Sequence, residues 1–316
     1  MTAIRIVAFS GLDERRHMAA VDDLGRGYDL GPGELHELIE RARLAGKWPA
    51  ELVAEMLEVA PTGSSVVLDE ILARVGRPGP TGTPDAVGDM SLDVPVAAPE
   101  VWAAGVTYRR SREAREAETA ASTKDIYSRV YEAERPELFL KDAGGRRTVP
   151  SGGTIRVRSD SVWSVPEPEL ALVLDADGRV VGYTAANDVS ARDIEGANPL
   201  YLPQAKVYFG SCALGPAVLL ARGEAMPSFA IDLHVIGPDG MTAFEGATST
   251  SAMARSFDDL VRALLRDNVI GDGTVLSTGT GVVPPEAFTL TAGQRVEIRI
   301  YGIGTLWNMV EHGRLR

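Results

Sequence analysis

Apolar and polar positions divide this chain into a mixed first part and a strand-rich second part. Ile4–Phe9 reads as a short strand, and Glu34 to Arg43 as a helix after Pro32-Gly33, with Leu35, Leu38 and Ile39 at helical spacing. Further helices are expected around Pro49–Val59 and near Val67–Val75. Gly76 to Asp93 is rich in Gly, Pro, Thr and Asp and shows no apolar period, which predicts a connecting segment. The organisation expected is a small mixed N-terminal domain over residues 1–80, a linker over 81–94, and a larger domain over 95–316. In that larger domain Val101–Val106 reads as a buried strand ending at Thr107-Tyr108. Ser111 to Glu134 is charged and alanine-rich, a helical stretch with Ser111 as N-cap and a break near Ser122-Thr123. It could serve as a mobile cover or as a solvated supporting helix. Phe229–Ile236 and Val296–Ile300 alternate like strands, Gly237–Gly240 is a turn, and Phe257–Leu265 is an amphipathic helix entered after Ser256. An α+β fold follows, with an open sheet or closed roll of mixed strands and few helices.

One hairpin carries the chemistry. Glu167-Pro168-Glu169 places two acids on the same face of an extended strand, and the apolar run Leu170–Leu174 continues that strand. Asp177-Gly178 is the dipeptide favoured in a two-residue hairpin turn, after which Val180–Thr184 runs back. With Asp177 and Gly178 as the turn, Asp188 falls directly across from Glu167, and three carboxylates converge on one face. Such acids are often ordinary surface groups in an acidic chain. Converging, they repel one another unless a hard divalent cation sits between them, and oxygen-only ligands suit magnesium, manganese or calcium.

Composition narrows the remaining choices. The 316 residues are 45% hydrophobic and 24% charged, enough to bury a substantial core. A net charge of -12 argues against nonspecific nucleic-acid binding, which needs positive surface, yet leaves local Arg and Lys free to select a small anion. The start of the chain has too short an apolar stretch for a signal peptide, and no segment approaches a membrane span, so a cytoplasmic protein with no membrane partner is expected. Cys212 is the single cysteine and reads as a packed small residue. Neither GxGxxG nor GxxxxGK occurs, leaving nucleotide-cofactor readings without support.

Val165-Pro-Glu-Pro-Glu-Leu-Ala171 and Asn187-Asp-Val-Ser-Ala-Arg-Asp193 resemble the metal-site signatures of the fumarylacetoacetate hydrolase family. The resemblance runs from about Ala104 to Leu306 and includes Arg135-Pro-Glu-Leu-Phe-Leu-Lys141 and Thr278-Gly-Thr-Gly-Val282. Within the family, Asp193–Lys206 and Gly105-Val-Thr-Tyr-Arg-Arg-Ser-Arg-Glu113 are similar to the dehydratases of 2-dehydro-3-deoxy-pentonates. The resemblance implies a mixed β-sandwich roll preceded by a small N-terminal domain, assembled as a homodimer or homotetramer. It implies one magnesium or related ion on Glu167, Glu169 and Asp188, an active-site lysine at Lys206, an acid-base glutamate at Glu137, and Thr280 on the substrate carboxylate. Arg109, Lys141 and Arg192 are further candidates for contacts to the substrate anion, or could simply pair with acids such as Asp142 or Asp193.

The chemistry so implied is dehydration of a 2-keto-3-deoxy sugar acid. A metal polarising the ketone acidifies the C3 protons, the resulting enolate loses the C4 hydroxyl, and a five-carbon substrate ends as 2,5-dioxopentanoate. Carbon–carbon hydrolases of the family place His shortly after the Tyr of their first motif, whereas Ser111 stands at that place here. The histidines are His17, His36, His234 and His312, outside that segment, which weakens water activation by an imidazole. The alternatives are a metal-dependent acylpyruvate or diketo-acid hydrolase, and a nonenzymatic 2-oxo-acid binding protein.

Overall fold

The computed structural model describes residues 3–10, 15–22, 26–59, 86–87, 90–118, 125–225 and 227–313. The N-terminal residues form strands β1 (Arg5–Ser10), β2 (Arg16–Val21) and β3 (Gly27–Pro32), helices α1 (Leu35–Leu44) and α2 (Pro49–Val59), and short strands β4 (Ala86–Val87) and β5 (Met90–Asp93). Next come β6 (Glu100–Gly105), helices α3 (Arg109–Glu118) and α4 (Asp125–Glu132), β7 (Glu137–Ala143), β8 (Thr148–Val149), β9 (Thr154–Val157) and β10 (Ser164–Val165). The hairpin is β11 (Pro168–Leu174) and β12 (Val180–Asp188), followed by β13 (Ser190–Ala191) and short helices α5 (Arg192–Ala197) and α6 (Leu202–Lys206). The remainder is β14 (Cys212–Leu220), β15 (Ala230–Ile236), β16 (Thr242–Ser249), α7 (Phe257–Leu265), β17 (Thr274–Ser277), β18 (Arg295–Ile300) and β19 (Gly304–His312).

The main sheet runs β3-β2-β1-β14-β12-β11-β17-β6-β7, and a second sheet runs β16-β15-β18-β19-β9. Both faces of the main sheet are covered, which is why β11 reads as an unbroken apolar run rather than an alternating one. Leu170, Leu172 and Leu174 pack with Ile231, Leu233 and Ile298 of the second sheet and with Leu260 and Leu264 of α7. Ala171 and Val173 face the other way, onto a core shared with Leu35, Leu38 and Ile39 of α1 and Val53 of α2. That second core also holds Ile6 and Val218, so the sheet and its packing continue from the N-terminal strands into the C-terminal residues without a break. The architecture is the expected α+β arrangement of mixed strands with few helices.

Three local expectations change. Met90–Asp93, placed in the linker by composition, is β5, and Leu92 pairs with Phe9 of β1. Four residues are too few to show a period, and the neighbouring strand supplies what the local pattern does not. Helix α3 begins at Arg109, and Ser111 sits inside its first turn, where its hydroxyl donates to the Tyr108 carbonyl at 2.8 Å and accepts from the Tyr108 N–H at 3.3 Å. That is the reciprocal half of a capping box rather than an N-cap. The helix expected near Val67–Val75 and the break near Ser122-Thr123 lie outside the described residues. On α4, Arg255 donates to the carbonyls of Val130 and Ala133, both at 2.7 Å, and Arg112 of α3 stacks on Tyr131.

The third change is at the hairpin tip. Pairing follows the expected register from Pro168↔Asn187 to Val173↔Gly182, then a bulge shifts Leu174 onto Val180. The turn is consequently longer than two residues, and Asp175 holds it together. Its fully buried carboxylate accepts from the N–H groups of Asp177 at 3.1 Å and Arg179 at 2.8 Å, and pairs with the Arg179 guanidinium at 2.6 Å. Removing that carboxylate strands two backbone donors at the opposite end of β11 from Glu167. Asp175→Ala should lower unfolding free energy by about 1–3 kcal/mol in urea denaturation, with magnesium affinity unchanged by calorimetric titration.

Candidate active site and metal centre

The strand parity that sends Ala171 and Val173 to one face of β11 turns Glu169, and Glu167 just before it, to that same face. Asp188 ends β12, and its N–H donates to the Glu167 carbonyl at 3.0 Å, extending the hairpin ladder by one step. The two residues are thereby opposed, as the register predicts. One oxygen from each of Glu167, Glu169 and Asp188 lies within 4.8 Å of the others, and all three residues are buried. Oxygens around a hard divalent ion stand roughly 2.0–2.6 Å from it, so a set this compact can share one cation.

The electrostatics match that use. Glu169 accepts from the Ser277 hydroxyl at 2.5 Å and the Gly279 N–H at 2.8 Å. Even so, burial, then the nearby Asp188 and Glu167, push its carboxyl up to about 8. Glu167 and Asp188, by contrast, have direct cationic partners. Lys206 Nζ donates to Glu167 at 2.5 Å and Asp188 at 2.9 Å, Arg192 donates to the other Glu167 oxygen at 2.9 Å, and Lys141 pairs with the other Asp188 oxygen. Lys141 is further fixed by the carbonyls of Val189, at 3.2 Å, and Lys206.

Lys141 and Arg192, expected as possible contacts to the substrate anion, are thus spent on the carboxylates; at 1% and 2% exposure they do not line the cleft. The acids offered as alternative partners are held by other groups. Asp142 instead binds the N–H groups of Arg147 and Thr148, both at 2.9 Å, and Asp193 accepts from Ser161 at 2.6 Å and the Val162 N–H at 2.9 Å. Arg109 is exposed at the start of α3 and is likewise absent from the cleft wall. The cleft does bring together the triad, Lys206, Glu137 and Thr280. Glu137 comes from β7 beside Gly105 of β6, and a Cβ on Gly105 would lie 2.1 Å from its carboxylate. The glycine is what lets that side chain lie there. Thr280 follows Gly279, the residue whose N–H holds Glu169, so one short loop serves both that carboxylate and the cleft wall.

Sequence reasoning missed Ser277, Gly105 and Glu195. Ser277 lies one residue before the Thr278-Gly-Thr-Gly element, and Glu195 lies inside the Asp193–Lys206 segment, so proximity to those stretches was the available signal. Ser111 also lines the cleft, at the place where hydrolases carry His, and none of the four histidines does among the described residues.

Residues 100–311 match the fumarylacetoacetate (FAA) hydrolase C-terminal family. This chain therefore belongs to the fumarylacetoacetate hydrolase family. It is 50% identical over 226 residues to a probable 2-keto-3-deoxyxylonate dehydratase from Haloferax volcanii, covering 72% of this chain and 77% of the relative. It is 45% identical over 231 residues to the 2-dehydro-3-deoxy-D-arabinonate dehydratase of Saccharolobus solfataricus, again 72% of this chain and 77% of the relative. Among solved structures, it superposes on 2-keto-3-deoxy-D-arabinonate dehydratase complexed with magnesium and 2,5-dioxopentanoate with a TM-score of 0.80 at 34% identity, covering 100% of both chains.

The Glu169 environment yields a stability signature. Its carboxyl ordinarily titrates near 4.5 and is raised to about 8 in the fold, so the native state binds more protons than the unfolded state between those values. Stability of chelator-treated protein should therefore fall as pH rises through that window. Saturating magnesium should abolish the slope, and magnesium binding at pH 7 should release roughly one proton. Urea denaturation across pH and calorimetry in two buffers of different ionisation enthalpy check both outcomes.

Proposed function

We infer that this protein is a magnesium-dependent dehydratase converting 2-dehydro-3-deoxy-D-pentonate, an intermediate of D-arabinonate or D-xylonate breakdown, to 2,5-dioxopentanoate. The observation carrying this is the buried carboxylate triad in a cleft that also presents Glu137 and Lys206, in a chain 50% identical over 226 residues to a probable 2-keto-3-deoxyxylonate dehydratase. Its likeness to a solved dehydratase bearing magnesium and the dioxo product supports the same reading. Glu167, Glu169 and Asp188 are the metal ligands; manganese or calcium would meet the same oxygen donors. When bound, the ion polarises the 2-oxo group and acidifies C3.

The chain's own groups do the rest. Lys206, donating to two carboxylates, is positioned to stabilise the negative charge that develops on the 2-oxo oxygen. Glu137 takes the C3 proton and returns it to the departing C4 hydroxyl. Thr280 binds the substrate carboxylate. The cleft lacks a histidine among the described residues, which favours elimination over the hydrolysis of a carbon–carbon bond. The protein works in the cytoplasm as a homodimer or homotetramer with no membrane partner; no described helix is long and apolar enough to cross a membrane.

Incubation of magnesium-loaded protein with 2-dehydro-3-deoxy-D-pentonate should produce the dioxo acid, and no magnesium-dependent turnover would overturn the reading. Cleavage of an acylpyruvate to pyruvate and a carboxylic acid, faster than dehydration, would favour the hydrolase. Glu169→Gln should weaken magnesium binding with little loss of fold, whereas Glu137→Gln should keep magnesium affinity and lose about 10²–10⁴ in turnover. Calorimetric titration beside turnover assays separates the two roles. Gly105→Ala, whose Cβ would crowd the flexible end of Glu137, should reproduce the Glu137→Gln result: native magnesium affinity with turnover lowered by at least tenfold, about 1.4 kcal/mol of transition-state stabilisation.

A further inference from the structure

Dehydration alone does not deliver the product. Removing a C3 proton and the C4 hydroxyl from the five-carbon acid leaves 5-hydroxy-2-oxopent-3-enoate, an enone that still carries its terminal alcohol. To become 2,5-dioxopentanoate it must lose a proton from C5 and gain one at C3, forming the C4–C5 enol. That enol then passes its hydroxyl proton to solvent and takes a proton at C4. No oxidant enters, because the aldehyde at C5 appears as the C3–C4 double bond is reduced by the same internal shift. The site therefore needs a proton carrier at C5 in addition to the group that works across C3 and C4.

The cleft holds a carboxylate suited to that second task. Glu195 lies on α5, is 3% exposed, and lines the cleft that contains the triad, Lys206 and Glu137. It sits one helical turn after Arg192, whose guanidinium reaches back to Glu167. A single short helix thus ties itself to the metal ligands through one side chain and brings a carboxylate to the cleft with another. Glu137 arrives from the separate β6–β7 wall, over Gly105. Two acids carried by different elements can meet different carbons of one bound molecule.

We propose that Glu195 is the second proton carrier of this site, taking the C5 proton of the enone and passing it to C3. The assignment rests on the dehydratase reading above. It separates the reaction into an elimination at C3–C4 served by Glu137 and an isomerisation served by Glu195.

The test follows both steps by proton NMR on magnesium-loaded full-length protein with 2-dehydro-3-deoxy-D-pentonate. Glu195→Gln should still consume substrate but form the dioxo acid about 100-fold more slowly than wild type, with the vinyl protons of 5-hydroxy-2-oxopent-3-enoate accumulating. Glu195→Asp, which keeps the carboxylate, should restore much of the second step. Substrate dideuterated at C5 should slow dioxo-acid formation in Glu195→Asp and leave substrate loss unaffected. Dioxo-acid formation at the wild-type rate in Glu195→Gln would overturn the proposal. So would complete loss of substrate consumption with magnesium affinity intact, which would put Glu195 in the elimination. Loss of magnesium binding in both variants would also overturn it, by making Glu195 a prop for the triad through Arg192. Wild-type protein that leaves the substrate untouched would sink the dehydratase reading itself.

Discussion

The balance of charge around Glu167 and Asp188 is the constraint on which the rest of this structure depends. Two carboxylates facing each other across a hairpin, with a third beside them, cannot all be ionised in a buried site unless cations neutralise them. Lys141, Arg192 and Lys206 do so, each reaching in from a different element: β7, α5 and α6. Those contacts tie the two short helices that follow β13 back to the end of the hairpin. They also explain why Lys141, on a strand of the main sheet, points into the interior. Among the described residues, Glu169 accepts from a hydroxyl and a backbone N–H in place of a cation. It is thus the member of the set most in need of a metal ion.

The same constraint shows how far the amino-acid sequence could be read. The register between Glu167 and Asp188 was legible because it depends on local parity alone, and the bulge at Leu174 arises after the paired stretch that sets it. The tip was misread because Asp177-Gly178 is a strong turn signal, whereas the controlling group is Asp175, whose side chain substitutes for turn backbone in a way no dipeptide rule records. The amphipathic helix Phe257–Leu265 and its Ser256 cap were legible to the residue, since both signals are local. Lys141 and Arg192 were not assigned to the triad because their partners lie 47 and 25 positions away, reached only once the strands are assembled. β5 was hidden for the same reason: its pairing partner, not its composition, makes it a strand.

A division of labour runs through the cleft. Rigid, doubly covered strands fix the oxygen donors, where small displacements would change which cation fits. The other side chains of the cleft, to which the proton and substrate roles are proposed, come from the edges of that platform: Glu137 at the start of β7, Thr280 in the loop after β17, Lys206 and Glu195 on the short helices.

The pairing of β1 with β14 has a consequence for how the chain can be inherited and cut. β1 covers the edge of β14 at Val218 and Leu219, and α1 lies over Leu214, Val173 and Ala171. The family match begins at residue 100, so the segment that shields these positions lies outside it. A shortened chain would offer β14 as a bare edge beside an apolar face, the condition under which sheets recruit further strands into aggregates. The described N-terminal residues are thus a permanently attached cover for a strand edge that would otherwise be open to copies of the same sheet.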